Sequence, residues 1–292
     1  MIMKVVGFTI IRNAEKFDYP VKESILSVLP LVDVFIVSIG QSEDNTEQII
    51  RSIPSEKIRI VHSVWDDSLR EGGKLLSVET NKAKAHIPQD ADWCFYIQSD
   101  EVIHDQDYEK IYSAMQKYLD DRNVEGLLFN YHHFFGNYDY VAVSRKWYRK
   151  EIRIIRNDAD ILSYKDAQGF RKKDNTKLKV KDTGAYIYHY GWVRHPQAQL
   201  EKQLNFHKLW HDDKWVNKNV DAKKVLKYEV NDILEQFSGT HPPVMQERIS
   251  RYNWHFDYDK SKIKLSLKEK ILYQIEMLTG YRIGEYKNYQ LI

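Results

Sequence analysis

Cysteine is almost absent: the 292 residues contain one, Cys94. A lone cysteine makes no internal disulfide, which excludes a disulfide-stapled secreted scaffold and suits a reducing cytoplasm. Set in an apolar run, Cys94 reads as a small buried hydrophobe. Long apolar runs are missing too. No stretch approaches the roughly 20 residues that a membrane-spanning helix needs. The first residues read as a short strand rather than a signal peptide, so a cytoplasmic location is expected. Charge of one sign is also lacking. Lys and Arg number 44 against 42 Asp and Glu, a net charge of +2. No single-sign field therefore invites nucleic acid, and Arg171-Lys172-Lys173 reads as a solvated loop. There are no internal repeats and no low-complexity linker. Aromatic side chains are abundant, with 20 Tyr and 7 Trp; such rings stack on sugars or fill cores.

Apolar runs at 5–11, 34–37, 58–61 and 93–97 read as strands, the first buried on both faces. Between them, Val21, Ile25, Val28 and Leu29 recur at helical spacing after Pro20, and Ile49, Ile50 and Ile53 follow a cap at Asp44 or Asn45. Residues 74–87 form a third helix, stopped by Pro88. Strand alternating with helix predicts a largely parallel sheet with helices on both faces. After Tyr108 the pattern changes. A helix over 108–119 leads to a strand from Gly126, an aromatic loop over 132–140, and the alternating segment Ile152-Arg153-Ile154-Ile155-Arg156, which suits an antiparallel strand. Another strand covers 185–190. Beyond Pro196, helices are expected over 197–213, 222–236 and 265–278, the last stopped by Gly280. The chain thus divides into an α/β core, 1–196, and a helical C-terminal extension, 197–292.

The fourth strand ends in Gln98-Ser99-Asp100-Glu101. Carboxylates there stand at the carboxyl edge of the sheet, where open α/β sheets bind ligands, and their oxygens suit hard divalent cations. Two earlier segments add to this: Arg12-Asn13-Ala14-Glu15 after the first strand, and Gly40-Gln41-Ser42-Glu43-Asp44-Asn45-Thr46 after the second. In this order and spacing, the three segments resemble those of the family 2 glycosyltransferases, which have the GT-A fold. The likeness is good over about 3–110 and looser to His189-Tyr190-Gly191-Trp192.

The resemblance implies a GT-A-type, Rossmann-like, mostly parallel mixed sheet flanked by helices. Residues 1–107 would be its nucleotide-sugar half and 108–196 its acceptor side. It also implies transfer of a sugar, with inversion, from a nucleotide diphosphate sugar donor to a saccharide or lipid-linked acceptor, in bacterial surface glycan synthesis. A divalent cation, Mn²⁺ or Mg²⁺, would be held by Asp100 and completed by His189, an imidazole that favours Mn²⁺. Glu101 would orient Asp100 or touch the donor. Thr9, Arg12, Asn13 and Glu15 would receive base and ribose, with Asp44 near the nucleoside. Arg70, Lys74 and Asn81 are candidates for facing the diphosphate, since cationic side chains match phosphate oxygens. Two departures stand out. Ser38 and Ile39 replace acids at the end of the second strand. Gln98 replaces the first acid of the Asp-x-Asp motif with an uncharged amide.

Inversion calls for a base near the acceptor hydroxyl. Asp166 is the candidate, with Asp158, Asp160 and Asp182 as rivals. Tyr131, Phe134, Phe135, Tyr138, Tyr140, Trp147, Tyr148 and Trp192 form either an acceptor platform or a core. His207 and His211 share a helix face, metal-binding or simply hydrated. Leu265, Ile271, Leu272, Ile275 and Leu278 would pack the last helix on the core or on a second subunit, while Lys262, Lys264, Lys268 and Lys270 offer peripheral contact with anionic lipid. Two other functions stay open. A sugar nucleotidyltransferase would need a glycine-rich loop after the first strand, and this loop contains no glycine. The third possibility is a non-catalytic sugar-nucleotide-binding protein.

Overall fold

Every residue of β1 (Val5–Ile11) is buried, as a strand must be when it is sandwiched between layers. In the computed structural model, which describes residues 3–69, 72–228 and 232–292, β1 pairs in parallel with β2 (Val34–Gly40) on one side and β4 (Trp93–Tyr96) on the other. Strand β3 (Ile58–Ser63) adds in parallel outside β2. Helices α1 (Val21–Val28), α2 (Thr46–Arg51) and α3 (Lys74–Lys84) connect them. Successive side chains of a strand point to opposite faces, and the two faces divide cleanly. Val5, Phe35, Val37, Trp93 and Phe95 pack with Ile25 and Val28 of α1 and Ile50 of α2. Val6, Phe8, Ile36, Cys94 and Tyr96 pack with Ala83 of α3 and with Phe170.

The second half is mixed. After β5 (Glu101–Ile103) and α4 (Tyr108–Lys117) come β6 (Gly126–Phe135), β7 (Tyr140–Ala142) and β8 (Lys150–Arg156). Strand β8 runs antiparallel to both β4 and β6, joining the halves into one sheet. A hairpin of β9 (Ile161–Tyr164) and β10 (Gly169–Lys172) stands apart from that sheet. The long β11 (Leu178–Trp192) runs parallel to β6 and antiparallel to β5. The chain continues through α5 (Pro196–His207), α6 (Asp213–Asn219), α7 (Ala222–Leu226), β12 (Leu234–Gln236), α8 (Gln246–Ser250), α9 (Leu267–Thr279) and β13 (Tyr289–Leu291). The architecture is mixed α/β, Rossmann-like in its first half, with helices flanking the sheet. Among the described residues, no helix is long and apolar enough to cross a membrane.

Several elements differ from the sequence expectations. The aromatic segment 132–135 is not loop but the end of β6, because β11 lies beside it and takes its backbone hydrogen bonds. The single helix expected over 222–236 ends at Leu226, and Leu234–Gln236 instead pairs antiparallel with β7. Strand β13 pairs with β11. The C-terminal region is therefore not purely helical: it covers two sheet edges whose backbone groups need partners. Helix α5 stops at His207, so His207 and His211 do not share a helix, and His211 stacks on Trp215 at 3.6 Å. Helix α9 has the expected Gly280 stop and a Ser266/Glu269 capping box. It docks mainly through polar contacts, with Glu276 bridged to Arg145 and Arg282. Leu272 and Ile275 are half-buried, while Ile271 and Leu278 are exposed.

Candidate active site

A cleft of about 630 Å³ opens over the carboxyl ends of β1 and β4. The Arg12–Asn13 segment, the β9–β10 turn, the end of β11 and helix α5 wall it in. Its floor is the turn carrying Asp100, between β4 and β5.

That turn is anchored from beneath. Glu101 and Arg153 are both fully buried and form a two-point ion pair, at 2.6 and 2.7 Å. Glu101 also accepts from Tyr131 Oη at 2.8 Å and from the Gln98 N–H at 3.1 Å. With its oxygens committed in this way, Glu101 lies under the floor and does not line the cleft. Gln98 does line it, and its amide donates to the Ala167 carbonyl at 3.2 Å, tying the floor to the β9–β10 turn.

Asp100 is 8% exposed. Its Oδ2 accepts from Lys202 Nζ at 3.2 Å, and its Oδ1 lies 3.8 Å from His189 Nε2. Lys202 also donates to the Gly191 carbonyl at 2.8 Å and sits 5.0 Å from the centre of the Tyr19 ring. Arg194, fully buried, donates to the carbonyls of Gly191 and Phe17. Burial opposes charge on Asp100, but Lys202, His189 and Arg194 outweigh it and hold the carboxyl well below the ordinary range. Burial, with Arg194 adding to it and Asp100 opposing, pushes the Lys202 amine down to about 8. Lys202 is thus still largely an ammonium at neutral pH.

The two histidines beside Asp100 have definable tautomers. His133 Nε2 lies 2.7 Å from the Tyr148 carbonyl, which only accepts, so that nitrogen carries the proton. His133 Nδ1 is then the acceptor in its 3.0 Å contact with His189 Nδ1. Burial pushes both imidazoles toward the neutral form. His189 therefore donates from Nδ1, and its Nε2 faces Asp100 Oδ1 at 3.8 Å. Gly191 leaves room for this corner, since a Cβ there would stand 2.5 Å from His189 Nε2 and 2.9 Å from Asp100 Oδ2.

Asp100 and His189, the pair expected to hold a divalent cation, do meet. They supply only two donors, and among the described residues no group of three His, Cys, Asp or Glu collects. One oxygen of the carboxylate already carries an ammonium. A hard cation at such a site is held by one or two free carboxylates, with substrate phosphates and water completing its shell, and here the one carboxylate is committed to Lys202 with Arg194 close by. These residues do not fit a resident metal ion.

The remaining predicted residues separate into two groups. Arg12 and Asn13 line the cleft. Arg12 pairs with Asp67 at 2.6 Å, and Asn13 adopts a left-handed φ of 56° while its Oδ1 accepts from the Glu43 N–H. Asp166 lines the opposite side, in the β9–β10 turn, where burial raises its carboxyl. Outside the lining, Thr9 is buried in β1 and Lys74 is exposed at the start of α3. Asn81 accepts from the Ser163 N–H at 2.8 Å. Glu15 accepts from Asn45, and Asp44 accepts from the backbone of Lys16 and Thr46, so these acids brace the loops. The rivals of Asp166 are also elsewhere: Asp160 pairs with Lys173, Asp182 with Lys150, and Asp158 accepts from the Asp160 N–H. Arg70 lies outside the described residues. Of the aromatic group, Trp147, Tyr148 and Trp192 line the cleft, whereas Tyr131, Phe134, Phe135 and Tyr138 are core.

Sequence reasoning missed Lys202, Arg194, His133 and Tyr19. A faint signal for Lys202 exists. Helix α5 places Gln199, Lys202, Gln203 and Phe206 along one side, an inward face without the usual apolar stripe. Arg12 Nε, Trp65 Nε1 and Gln199 Oε1 are buried at the cleft without a partner among the described residues. Buried polar atoms normally find partners, and a polar ligand in the cleft supplies them.

No protein-family model matches the chain, and no curated protein does. Solved structures similar to it include glucosyl-3-phosphoglycerate synthase from Mycobacterium tuberculosis in complex with Mn²⁺, uridine diphosphate and phosphoglyceric acid. The identity is 19%, with 44% of this chain and 43% of that one covered, at a TM-score of 0.32. TarS from S. aureus is 15% identical over 78% of this chain and 43% of its own, at a TM-score of 0.40. The 4-diphosphocytidyl-2C-methyl-D-erythritolsynthase of Anaerococcus prevotii DSM 20548 is 10% identical over 66% of this chain and 90% of its own, at 0.39. The chain spans less than half the length of the first two. Each likeness is partial, and the chemistry of the cleft is read from its own residues.

Proposed function

We propose that this protein is a glycosyltransferase. It takes a sugar from a nucleotide diphosphate sugar and passes it, with inversion, to a hydroxyl of a saccharide or lipid-linked acceptor, as in the assembly of bacterial surface glycans. The observation that carries the reading is the cleft floor. A single carboxylate, Asp100, is set at the sheet's carboxyl edge among Lys202 and Arg194, with an acid of raised pKa, Asp166, across the cleft. A leaving diphosphate gains negative charge as the glycosidic bond breaks, and preorganised cationic donors stabilise it. A carboxylate with a raised pKa is better matched to accepting the acceptor's proton. Trp147, Tyr148 and Trp192 line the same cleft, and aromatic walls suit a sugar. The order of the three sequence motifs supports the same chemistry. Nucleotidyl transfer fits less well, because the loop after β1, Arg12-Asn13-Ala14-Glu15-Lys16, has no glycine to cradle a triphosphate.

The test is release of nucleoside diphosphate from a panel of UDP-, GDP- and dTDP-sugars, with and without candidate acceptors. Turnover that depends on Asp100 is expected. If Asp100→Ala leaves donor affinity and transfer unchanged, the reading fails. Pyrophosphate as the product would point to nucleotidyl transfer instead.

A further inference from the structure

We propose that Lys202 is the cation that serves the diphosphate in this protein, standing on Asp100 in place of a divalent metal. The inference rests on the reading of the cleft as a nucleotide diphosphate sugar site, and it removes the metal from that reading. Lys202 is held in place, with its Nζ donating to Asp100 Oδ2 at 3.2 Å and to the Gly191 carbonyl at 2.8 Å. Its side chain is only 15% exposed, and its Nζ stands over the Tyr19 ring. An ammonium has three N–H groups. Two are taken by these acceptors, and the third is available to a phosphate oxygen in the cleft that Lys202 lines.

The charges agree with this assignment. Asp100 contributes one negative charge, and Lys202 and Arg194 one positive charge each, while Glu101 and Arg153 cancel beneath the floor. The floor is thus net positive before any metal arrives. A divalent ion at the Asp100–His189 corner would face two cations with one carboxylate, and that carboxylate is already paired. Gln98 fits the same pattern. Where a second acid would add affinity for a metal, an amide stands, and it is bonded to the Ala167 carbonyl.

In the reaction, the bond between the anomeric carbon and the β-phosphate oxygen breaks, and its electron pair stays on that oxygen. The acceptor oxygen bonds the anomeric carbon from the other face, and its proton passes to the Asp166 carboxylate. Lys202 keeps its proton throughout and donates a hydrogen bond to the departing diphosphate. No co-reactant is required.

Calorimetric titration of UDP, GDP, dTDP and CDP into the full chain, in EDTA and in Mn²⁺, tests the proposal. At least one nucleoside diphosphate is expected to bind in EDTA, with affinity changed less than about 3-fold by Mn²⁺. Lys202→Met should lose at least about 10-fold, and Lys202→Arg, which keeps the charge, should lose much less. Circular dichroism melts establish that both variants fold. Binding of a nucleoside diphosphate only when Mn²⁺ is present would overturn the proposal and leave the glycosyltransferase reading standing. Unchanged binding by Lys202→Met also overturns it. Absence of binding by all four nucleotides in both conditions overturns the parent reading and this inference together.

Discussion

Replacing Glu101 with Gln should destabilise the protein far more than loss of one charge from its surface. The carboxylate accepts two hydrogen bonds from Arg153, one from Tyr131 and one from the Gln98 backbone, and neither it nor Arg153 is exposed. An amide in its place presents a donor to a site filled with donors and leaves a buried guanidinium without its counter-charge. Breaking a buried pair from one side costs about 3–5 kcal/mol. That is a large part of the roughly 5–15 kcal/mol that separates a folded protein from its unfolded state. Arg153→Met alone should cost a similar amount, because it strands the carboxylate instead. The double variant, Glu101→Gln with Arg153→Met, buries no charge, so its cost should fall short of the sum by on the order of 2 kcal/mol. Urea unfolding followed by tryptophan fluorescence measures all three. A loss below about 1 kcal/mol for Glu101→Gln, or strict additivity in the cycle, would refute the assignment of Glu101 to the foundation of the cleft.

Other substitutions probe the site and the core beside it. Burial lifts the Glu151 carboxyl from 4.5 to about 7. The folded state therefore keeps a proton that the unfolded chain releases, and the associated stability is complete below about pH 4.5 and lost as pH rises through about 7. The change is on the order of 3 kcal/mol, and Glu151→Gln should abolish it; parallel urea midpoints for the two proteins between pH 4.5 and 8 would contradict this. Gly191→Ala should fold, at an overpacking cost of about 1–3 kcal/mol, but lose nucleoside diphosphate binding as its Cβ drives Asp100 and His189 apart; retained affinity in calorimetry would show that the corner is not used. Asp166→Asn should lower turnover about 10²–10⁴-fold with donor affinity intact; full activity would move the base to another residue.

The elements most legible in the sequence were those whose signal is local. The apolar run of β1 and the helical spacing of Val21, Ile25 and Val28 each specify which faces must leave water, and the structure buries those residues. The turn after β4 was also visible, because an apolar run that gives way to Asp100 and Glu101 places carboxylates at the sheet edge. Segments that form structure only by pairing were hidden. Leu234–Gln236 and Tyr289–Leu291 carry little periodicity of their own and become strands because β7 and β11 have edges to fill.

Composition and pattern by themselves determined an α/β chain with a parallel first half, no disulfide, and an acid-bearing turn at the mouth of the sheet. They did so because the hydrophobic period records how each segment meets water. Only the tertiary structure decided what surrounds that acid. It brought Lys202 to Asp100 across 102 residues, set Arg153 beneath Glu101 across 52, and left Asp158, Asp160 and Asp182 outside while turning Asp166 into the cleft. The physical reason is that a side chain's partner depends on the path of the whole backbone, and charge balance in a buried site becomes definite only when the partners have met.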